Sequence, residues 1–320
     1  MTFGLFFVYL HTGKPYNKNP EAFSLLLDFD FLRLALIFNF QLFMMLIAES
    51  GSTRTTWCIV RDDGLVETCY SSGINPFFLG AEEIRILLDT EFSLPKVDIS
   101  SVFFYGAGCA FPDKQQMLFD VLSSCFGTTD LEVNSDLLAA ARSLCKAEEG
   151  IACILGTGSN SCLYDGKKIV QNTPPLGFIL GDEGSGSYLG KNLLSGIFKN
   201  QFPEVLRDDF LASYPEMAVS EALENVYRKP FPNRYLAQYA KFAACHINNP
   251  DIEKMVENGF SEFLRRNVLQ YPGANRLPIH FTGSIAFFFR EQLEKILKSF
   301  GLTIGTISQE IGRASCRERV

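Results

Sequence analysis

The chain has 320 residues, of which 47% are hydrophobic and 20% are charged. This length exceeds what one hydrophobic core usually organises, and the composition is that of a folded rather than a disordered protein, so we expect two domains. The formal net charge is −7 and no block of basic residues is present, which argues against a nucleic-acid-binding protein.

Nine cysteines are scattered singly along the chain, without a Cys-x-x-Cys pair. Most of them lie in apolar sequence, which is typical of buried thiols in a reducing cytoplasm and not of a metal cluster. None of the three histidines lies at ligand spacing from another histidine or a cysteine, which argues against a zinc site. We therefore expect a cytoplasmic protein.

The two ends of the chain differ in composition from the rest. Residues 1–44 are crowded with Phe and Leu, and the apolar run Phe31–Ala48 has the length of a membrane span. Polar residues interrupt that run, however, it ends in a predicted strand, and it shows neither the basic start nor the cleavage site of a signal peptide. We expect residues 1–44 to be a non-native upstream extension, with the native start at Met44 or Met45. The basic residues 311–320 are expected to be a non-native scar.

The first half of the chain alternates short apolar runs with turn signals and amphipathic segments. Three strands come first, and Asp62-Asp63-Gly64 marks a hairpin between the second and the third. Pro76 disfavours a helix at Asn75, so Gly73–Pro76 is predicted as a loop. The predicted elements are strands 46–50, 57–61, 65–70, 99–105 and 131–133, with helices at 80–89, 113–126 and Leu137–Lys146.

The second half repeats the same order of elements. A three-stranded meander is followed by a largely helical region at 191–270 and then by a strand, a helix and a last strand. The predicted strands are 151–155, 161–164, 168–171, 278–281 and 302–308, and the last predicted helix is 288–300.

Each meander contains a glycine turn rich in hydroxyl groups directly after its first strand. These turns are Ser50–Arg54 and Gly156–Asn160. Glycine leaves the backbone uncovered, and the Ser, Thr and Asn side chains supply small hydrogen-bonding groups that suit an anion or a sugar hydroxyl. A single such turn is more often an ordinary polar hairpin turn, but the two copies lie about a hundred residues apart, which is the size of a domain.

Two further stretches carry groups that could bind a ligand. Asp136 follows a predicted strand and precedes a helix, so it is either a helix N-cap or a carboxylate at the strand end where ligands bind in open α/β sheets, and both roles are compatible. Gly181–Ser187 is dense in glycine and acidic, and opens a helix from about Tyr188. Such a loop either offers free N–H groups to an anion or is simply mobile.

The ordered set of motifs from residue 45 to residue 308 resembles the N-acetylglucosamine kinase branch of the BadF/BadG/BcrA/BcrD ATPase family. That family belongs to the superfamily of sugar kinases, actin and heat-shock chaperones. The motifs that carry the resemblance are Ser50–Arg54, Gly73–Pro76, Asn134–Asp136, Gly156–Asn160, Gly181–Ser185 and Thr282–Ser284.

The resemblance implies an α/β fold in which two ribonuclease H-like lobes face a central nucleotide cleft. Each lobe is a βββαβαβα unit, and together they form the duplicated actin-like ATPase fold. The N-terminal lobe would span 45–145 and the C-terminal lobe 146–310, with a helical insertion at about 191–270.

The resemblance also implies roles for individual residues. Asp136 would be the general base, and Glu49 would hold Mg²⁺ through water at a position where the family usually has Asp. The ATP phosphates would contact Ser50, Gly51, Ser52, Thr53, Arg54, Gly156 and Thr157, and the adenosine would contact Gly283 and Ser284. The sugar would contact Asn75, Asp136, Gly158, Ser159, Asn160 and Asp182.

The expected function is ATP-dependent phosphorylation of the 6-hydroxyl of N-acetylglucosamine or a related amino sugar, with ATP and Mg²⁺ as cofactors. Two alternatives stay open. One is an ATPase that activates a partner reductase, although the cysteines that would bridge an iron–sulfur cluster are not evident; the other is a non-catalytic sugar-sensing module, which Glu49 favours and Asp136 disfavours. The expected partner is a small sugar, not a nucleic acid or a membrane, and a homodimer stays one alternative for the assembly.

Overall fold

The computed structural model describes residues 44–51, 53–61, 66–93 and 99–309, all within one compact unit. The predictions for residues 1–43 and 310–320, for Ser52 and for the Asp62–Gly64 hairpin turn lie outside the described residues. None of the helices in the described ranges has both the length and the apolar character needed to cross a membrane.

The first lobe is built on a five-stranded sheet with the order β3-β2-β1-β4-β5. Strands β1 to β3 form an antiparallel meander, and β4 and β5 run parallel to β1. The strands are β1 Met44–Ser50, β2 Arg54–Arg61, β3 Val66–Ser72, β4 Ile99–Gly106 and β5 Leu131–Ser135. The helices are α1 Ala81–Glu91, α2 Pro112–Phe126 and α3 Asp136–Cys145.

The second lobe repeats this topology, with the strand order β10-β9-β6-β7-β8. Its strands are β6 Glu149–Leu155, β7 Ser159–Asp165, β8 Ile169–Asn172, β9 Ile279–Thr282 and β10 Ile304–Ser308. Its helices are α4 Gly177–Leu180, α5 Gly186–Phe198, α6 Glu204–Ser213, α7 Val219–Tyr227, α8 Pro232–Ala237, α9 Ala240–Cys245, α10 Pro250–Arg266, α11 Ser284–Phe288 and α12 Arg290–Ser299, with a 3-10 turn at Val268–Gln270. The predicted duplicated fold is confirmed.

The structure adds a short helix that the sequence did not predict. The helix predicted at 288–300 corresponds to α12, within two residues at each end, and the one-turn helix α11 precedes it, with Phe289 between the two. The Phe289 ring is almost completely buried in the core of the second lobe and packs against Phe260. Burial of this ring fixes the break, which local helix propensity does not reveal.

Aromatic side chains fill the core of the first lobe. Trp57 on β2 is fully buried, and its ring packs edge-on against Phe92 at 5.3 Å between centroids. The indole N–H donates to the Ser71 hydroxyl at 2.9 Å, so the polar atom of this buried side chain is satisfied.

Helix α3 lies between the two sheets. The three alanines Ala139–Ala141, which point to different sides of the helix, lie in one buried cluster with Ile47 and Val60 of the first sheet and with Ala152 and Tyr164 of the second. Small alanine side chains permit this close approach on both sides. The start of α3, where Asp136 lies, is therefore held by both lobes.

Candidate active site

The Asp136 carboxylate lies at the first residue of α3. The N-cap is Ser135, whose hydroxyl accepts a hydrogen bond from the Leu138 N–H, so the N-cap role considered for Asp136 belongs to its neighbour. Asp136 accepts from the Leu137 N–H at 2.8 Å. Burial raises the pKa of the Asp136 carboxyl to about 6, against the opposing effect of the backbone N–H groups of Leu137 and Asp136.

The turn that follows β4 approaches this carboxylate. Burial, and then the charge of Asp136, raises the pKa of the Cys109 thiol to about 12, so Cys109 stays a protonated thiol at neutral pH. In the same turn, Gly108 has φ +81° and lies against the Asn75 amide so closely that a Cβ atom would overlap it. Only glycine both accepts this positive φ and lacks the Cβ atom that would overlap Asn75. Asn75 therefore contacts the same turn whose Cys109 interacts with Asp136.

The Ser50 side chain does not face the open side of the first glycine turn. Ser50 is fully buried; its hydroxyl lies 2.7 Å from the Thr55 hydroxyl and accepts from the Ile74 N–H at 2.8 Å. These bonds fix the turn to the loop that carries Asn75. Among the described residues of the turn, Gly51, Thr53 and Arg54 are exposed.

The second glycine turn is fastened to the start of α5. The N–H groups of Gly186 and Ser187 donate to the carbonyl oxygens of Gly156 and Thr157 at 2.8 and 3.0 Å. The next helical N–H, that of Tyr188, donates to the Ser185 hydroxyl. The first-turn N–H groups of this helix are therefore already paired, so an anion at this loop would have to meet N–H groups that precede the helix.

The Asp182 carboxylate lies inside this arrangement. It accepts a hydrogen bond from the Ser159 N–H at 3.2 Å, and a Cβ atom at Gly158 would lie 3.0 Å from its Oδ2. Burial, with a further contribution from Glu183, raises the pKa of the Asp182 carboxyl to about 6, although the Ser159 N–H and Lys191 oppose the shift. The glycine turn and the acidic loop, which are separate in sequence, thus form one site.

Glu183 anchors the acidic loop to α10. Its buried carboxylate forms an ion pair with Arg266 at 2.6 Å and accepts from the Asn267 amide at 3.3 Å. The carboxylate is only 5% exposed, so the loss of its partner would leave a buried charge. The loop is thus tied to the helical region, which disagrees with the mobile-loop alternative.

Asn160 and Gly283 flank the second turn on opposite sides. The Asn160 side-chain oxygen accepts from the Ser161 N–H and from the Asn172 amide. Gly283, at the end of β9, lies directly against the Leu155 carbonyl at the end of β6, and the exposed Ser284 begins α11. The third glycine turn is therefore adjacent to the second.

No protein-family model and no curated protein matches the chain. A solved structure from Porphyromonas gingivalis, a candidate N-acetylglucosamine kinase, is 46% identical, and the match covers 86% of this chain and 98% of that one with a TM-score of 0.82. The chain belongs to the N-acetylglucosamine kinase family. A second structure of a candidate N-acetylglucosamine kinase, from Chromobacterium violaceum, is 16% identical with a TM-score of 0.66 over 87% of this chain and 99% of that one; at this identity it shows the fold alone.

The family motifs divide between two groups in this structure. One group surrounds Asp136 and contains Asn75 and the turn after β4, and the other surrounds Asp182 and contains the second and third glycine turns. Glu49, half-buried at the end of β1, pairs in register with Tyr105 on β4. Each group lies at the carboxyl ends of parallel strands, where this class of fold binds ligands.

Sequence reasoning missed two residues of this N-acetylglucosamine kinase family member, Gly108 and Glu183. The signal for Gly108 was present, because a second glycine after a buried strand indicates a close backbone approach. The signal for Glu183 was weaker, since its partner Arg266 lies on a helix far along the chain.

Proposed function

We propose that the protein transfers the γ-phosphoryl group of ATP to the 6-hydroxyl of N-acetylglucosamine or a related amino sugar, with Asp136 as the general base. The supporting observation is the position of Asp136 on a helix packed between the two sheets, where burial raises its pKa to about 6. A carboxyl with this pKa is mostly ionised at pH 7 and matches the requirement of a base near the working pH.

Besides a general base, phosphoryl transfer requires little direct chemistry from protein side chains. Phosphoryl transfer passes through a loose transition state, so positioning and charge stabilisation dominate. Asp136 would accept a hydrogen bond from the 6-hydroxyl, orient its oxygen toward the phosphorus and take its proton as the bond to phosphorus forms. General-base catalysis of this kind contributes about 10²–10⁴-fold.

The sugar would lie between the two groups of residues, one around Asp136 and the other around the second glycine turn. We assign this contact to Asn75, Gly158, Ser159, Asn160 and Asp182, together with Asp136. Asp182 is oriented by the Ser159 N–H, which leaves its second oxygen to accept from a sugar hydroxyl. A hydrogen bond to a charged acceptor is stronger than a neutral one, so this contact favours hydroxyl-rich ligands.

The phosphates of ATP would lie against the two glycine turns. Gly51, Thr53 and Arg54 are exposed in the first turn, and a Cβ atom at Gly156 in the second would meet no atom within 4 Å, so both turns have room for an anion. Ser52 belongs to the same assignment, whereas the buried Ser50 hydroxyl would act by holding the turn. Gly283 and Ser284 would lie beside the adenosine.

Mg²⁺ fits the donor chemistry of this site. In the described ranges no three His, Cys, Asp or Glu side chains form a group that could hold a metal ion. Mg²⁺ usually binds through one or two carboxylates together with substrate phosphates and water, so a complete protein cage is not required. Glu49, at the end of β1, would hold Mg²⁺ through water, and the bound ion would neutralise phosphate charge.

The test is phosphosugar formation measured by mass spectrometry. The protein is incubated with Mg-ATP and, separately, with N-acetylglucosamine, N-acetylmannosamine, N-acetylmuramic acid, glucosamine and glucose. We expect a 6-phosphorylated product from N-acetylglucosamine or one close relative. Circular dichroism of the same sample establishes that the protein is folded.

No product from any sugar with a folded protein would contradict the proposal. Sugar binding without turnover would then identify a sensing module, and ATP hydrolysis without a phosphosugar would identify an ATPase. In either case Glu49→Asp is the informative variant, because it restores the shorter carboxylate that the family usually has at the proposed Mg²⁺ position.

A further inference from the structure

The side chain of Asn160, on β7, ends in a carboxamide whose oxygen and NH₂ group make opposite hydrogen bonds. Its oxygen accepts from the Ser161 N–H at 2.9 Å and from the Asn172 side-chain NH₂ group at 3.0 Å. Because a backbone N–H can only donate, the atom beside Ser161 is the oxygen. The Asn160 NH₂ group therefore points away from these two donors, and no described residue accepts a hydrogen bond from it.

The Asn160 side chain lies on the face of the second sheet that packs against α3. Side chains alternate along a strand, so Asn160 shares its face with Cys162 and Tyr164, two residues of the buried cluster around α3. Helix α3 ends at Cys145 and β6 begins at Glu149, so the strand runs back along the helix.

Asn160 also lies near the end of that helix at which Asp136 is found. The Cys145 sulfur marks the other end, because a Cβ atom at Gly150 would lie 3.1 Å from it. The helix rises about 14 Å from Cys145 back to Asp136. The strand advances about 13 Å from Gly150 to Ile154, the register partner of Asn160. The Asn160 NH₂ group is therefore at the Asp136 end of the space between α3 and the second sheet.

Asn172, the last residue of β8, holds the Asn160 oxygen from a second side. Its NH₂ group donates to that oxygen and to the Ser161 carbonyl, at 3.0 and 2.7 Å. The next residue, Thr173, donates its N–H to the Tyr271 hydroxyl at 2.9 Å. The same Tyr271 hydroxyl lies 2.7 Å from the buried Ser161 hydroxyl. The end of β8 is thus tied to β7, which fixes Asn172 relative to Asn160.

Under the proposed function, the second glycine turn would present groups of opposite hydrogen-bonding character to the sugar. Asp182 would offer a carboxylate oxygen, which accepts, and Asn160 an NH₂ group, which donates. A sugar hydroxyl both donates and accepts, so hydroxyl groups can satisfy such a pair completely. The orientation of the Asn160 carboxamide decides whether this pair exists.

We infer that Asn172 is a positioning residue, which fixes the Asn160 carboxamide so that its NH₂ group donates to an oxygen of the bound amino sugar. This inference rests on the proposed kinase function. Asn172 does not touch the sugar and acts through Asn160. Without Asn172 the carboxamide is held less firmly, so the sugar binds less tightly while phosphoryl transfer at Asp136 is unaffected.

The test measures kcat and the KM for N-acetylglucosamine of Asn172→Asp. The carboxylate has the shape of the amide but cannot donate to the Asn160 oxygen. We expect KM to rise about 3–10-fold, the equivalent of one neutral hydrogen bond, with kcat within about twofold of its original value.

The matched control is Gln171→Glu, which makes the same charge change at the neighbouring exposed residue. Among the described residues, the Gln171 amide donates only to the Gln270 carbonyl, at 3.5 Å. We expect this change to leave both kcat and the sugar KM unaltered. Circular dichroism of each variant establishes that it is folded.

A double-mutant cycle separates action through Asn160 from a general effect on the fold. Asn160→Ala should raise the sugar KM about tenfold, and Asn172→Asp should add nothing further in that background. Asn160→Asp keeps the oxygen that Ser161 and Asn172 hold but replaces the NH₂ group by an acceptor. We expect it to lose at least as much as Asn160→Ala.

Three results would overturn the inference: additive losses in the cycle, a fall in kcat at unchanged KM for Asn172→Asp, or sugar binding by Asn160→Asp that equals that of the unaltered protein. Failure of the proposed function looks different, because no phosphosugar then forms with any variant. In that event the same cycle is measured by calorimetry on the dissociation constant of N-acetylglucosamine. Coupled losses of affinity support the positioning role, and additive losses or absent binding overturn it.

Discussion

The two lobes share one topology, yet each holds its acidic residue differently. In the first lobe, Asp136 begins a helix and is stabilised as an anion by the helix N–H groups. In the second, Asp182 lies in a loop before a helix, beside the acidic Glu183 and against Gly158. Burial raises both pKa values to about 6. Under the proposed function, Asp136 would take the proton and Asp182 would hold the sugar.

The comparison predicts different kinetic effects for the two acids. Asp136→Asn removes the proposed base, so we expect kcat to fall by about 10²–10⁴-fold with the KM for the sugar within about threefold of its original value. Asp182→Asn should instead mainly raise that KM. Steady-state kinetics on both variants checks this split, and an unchanged kcat for Asp136→Asn would exclude Asp136 as the base.

The anchoring of the acidic loop that carries Asp182 and Glu183 can be tested through Arg266. Arg266→Ala leaves the Glu183 carboxylate buried without its ion-pair partner, and we expect a loss of about 2–3 kcal/mol in the free energy of unfolding. Arg265→Ala is the matched control. The neighbouring Arg265 forms an exposed pair with Glu262, so that change should cost less than about 1 kcal/mol. Urea unfolding measures both, and equal losses would refute the anchoring role.

Substitutions at the two glycines of the second turn should separate sugar binding from ATP binding. A Cβ atom at Gly158 would lie against the Asp182 carboxylate, so Gly158→Ala should raise the sugar KM about tenfold, which corresponds to about 1.4 kcal/mol. A Cβ atom at Gly156 has no neighbour in the described structure, so Gly156→Ala should leave the sugar KM unchanged and raise the KM for ATP. Identical effects of the two changes would show that the turn acts as one unit.

The shared pKa shift predicts how stability depends on pH. Both carboxyls have folded-state pKa values of about 6, above the ordinary value of 3.8, so the folded protein binds these protons more tightly than the unfolded chain. Their favourable contribution is present below about pH 4 and is lost as the pH rises through 6. Asp136→Asn should therefore stabilise the protein by about 1–2 kcal/mol at pH 7.5 and have little effect at pH 4.

That measurement consists of chemical unfolding of the unaltered protein and of Asp136→Asn at both pH values. Activity should show the opposite trend, since a protonated Asp136 cannot act as a base, and kcat/KM should fall below about pH 6. A stabilisation of the variant that is equal at pH 4 and pH 7.5 would show that the carboxyl is not desolvated.

Much of the fold could be predicted from the sequence. Alternating apolar runs and turn signals predicted the strands, and the repeated order of elements predicted the duplication. The short helix α11 before Phe289 and the exact first residue of α5, Gly186, were not predicted, because they depend on ring burial and on hydrogen bonds to the second glycine turn. Neither is a local property of the chain.

The sequence alone determined where polar groups follow buried strands, because side-chain chemistry and glycine content are local. Only the tertiary structure decided which of those groups are already hydrogen-bonded or buried within the protein. The Ser50 hydroxyl is hydrogen-bonded inside its own lobe, and the first N–H groups of α5 donate to the second glycine turn. Helix α3 positions Asp136 between the two sheets. Hydrogen-bond pairing and desolvation arise between residues distant in sequence, so they exist only once the chain has folded.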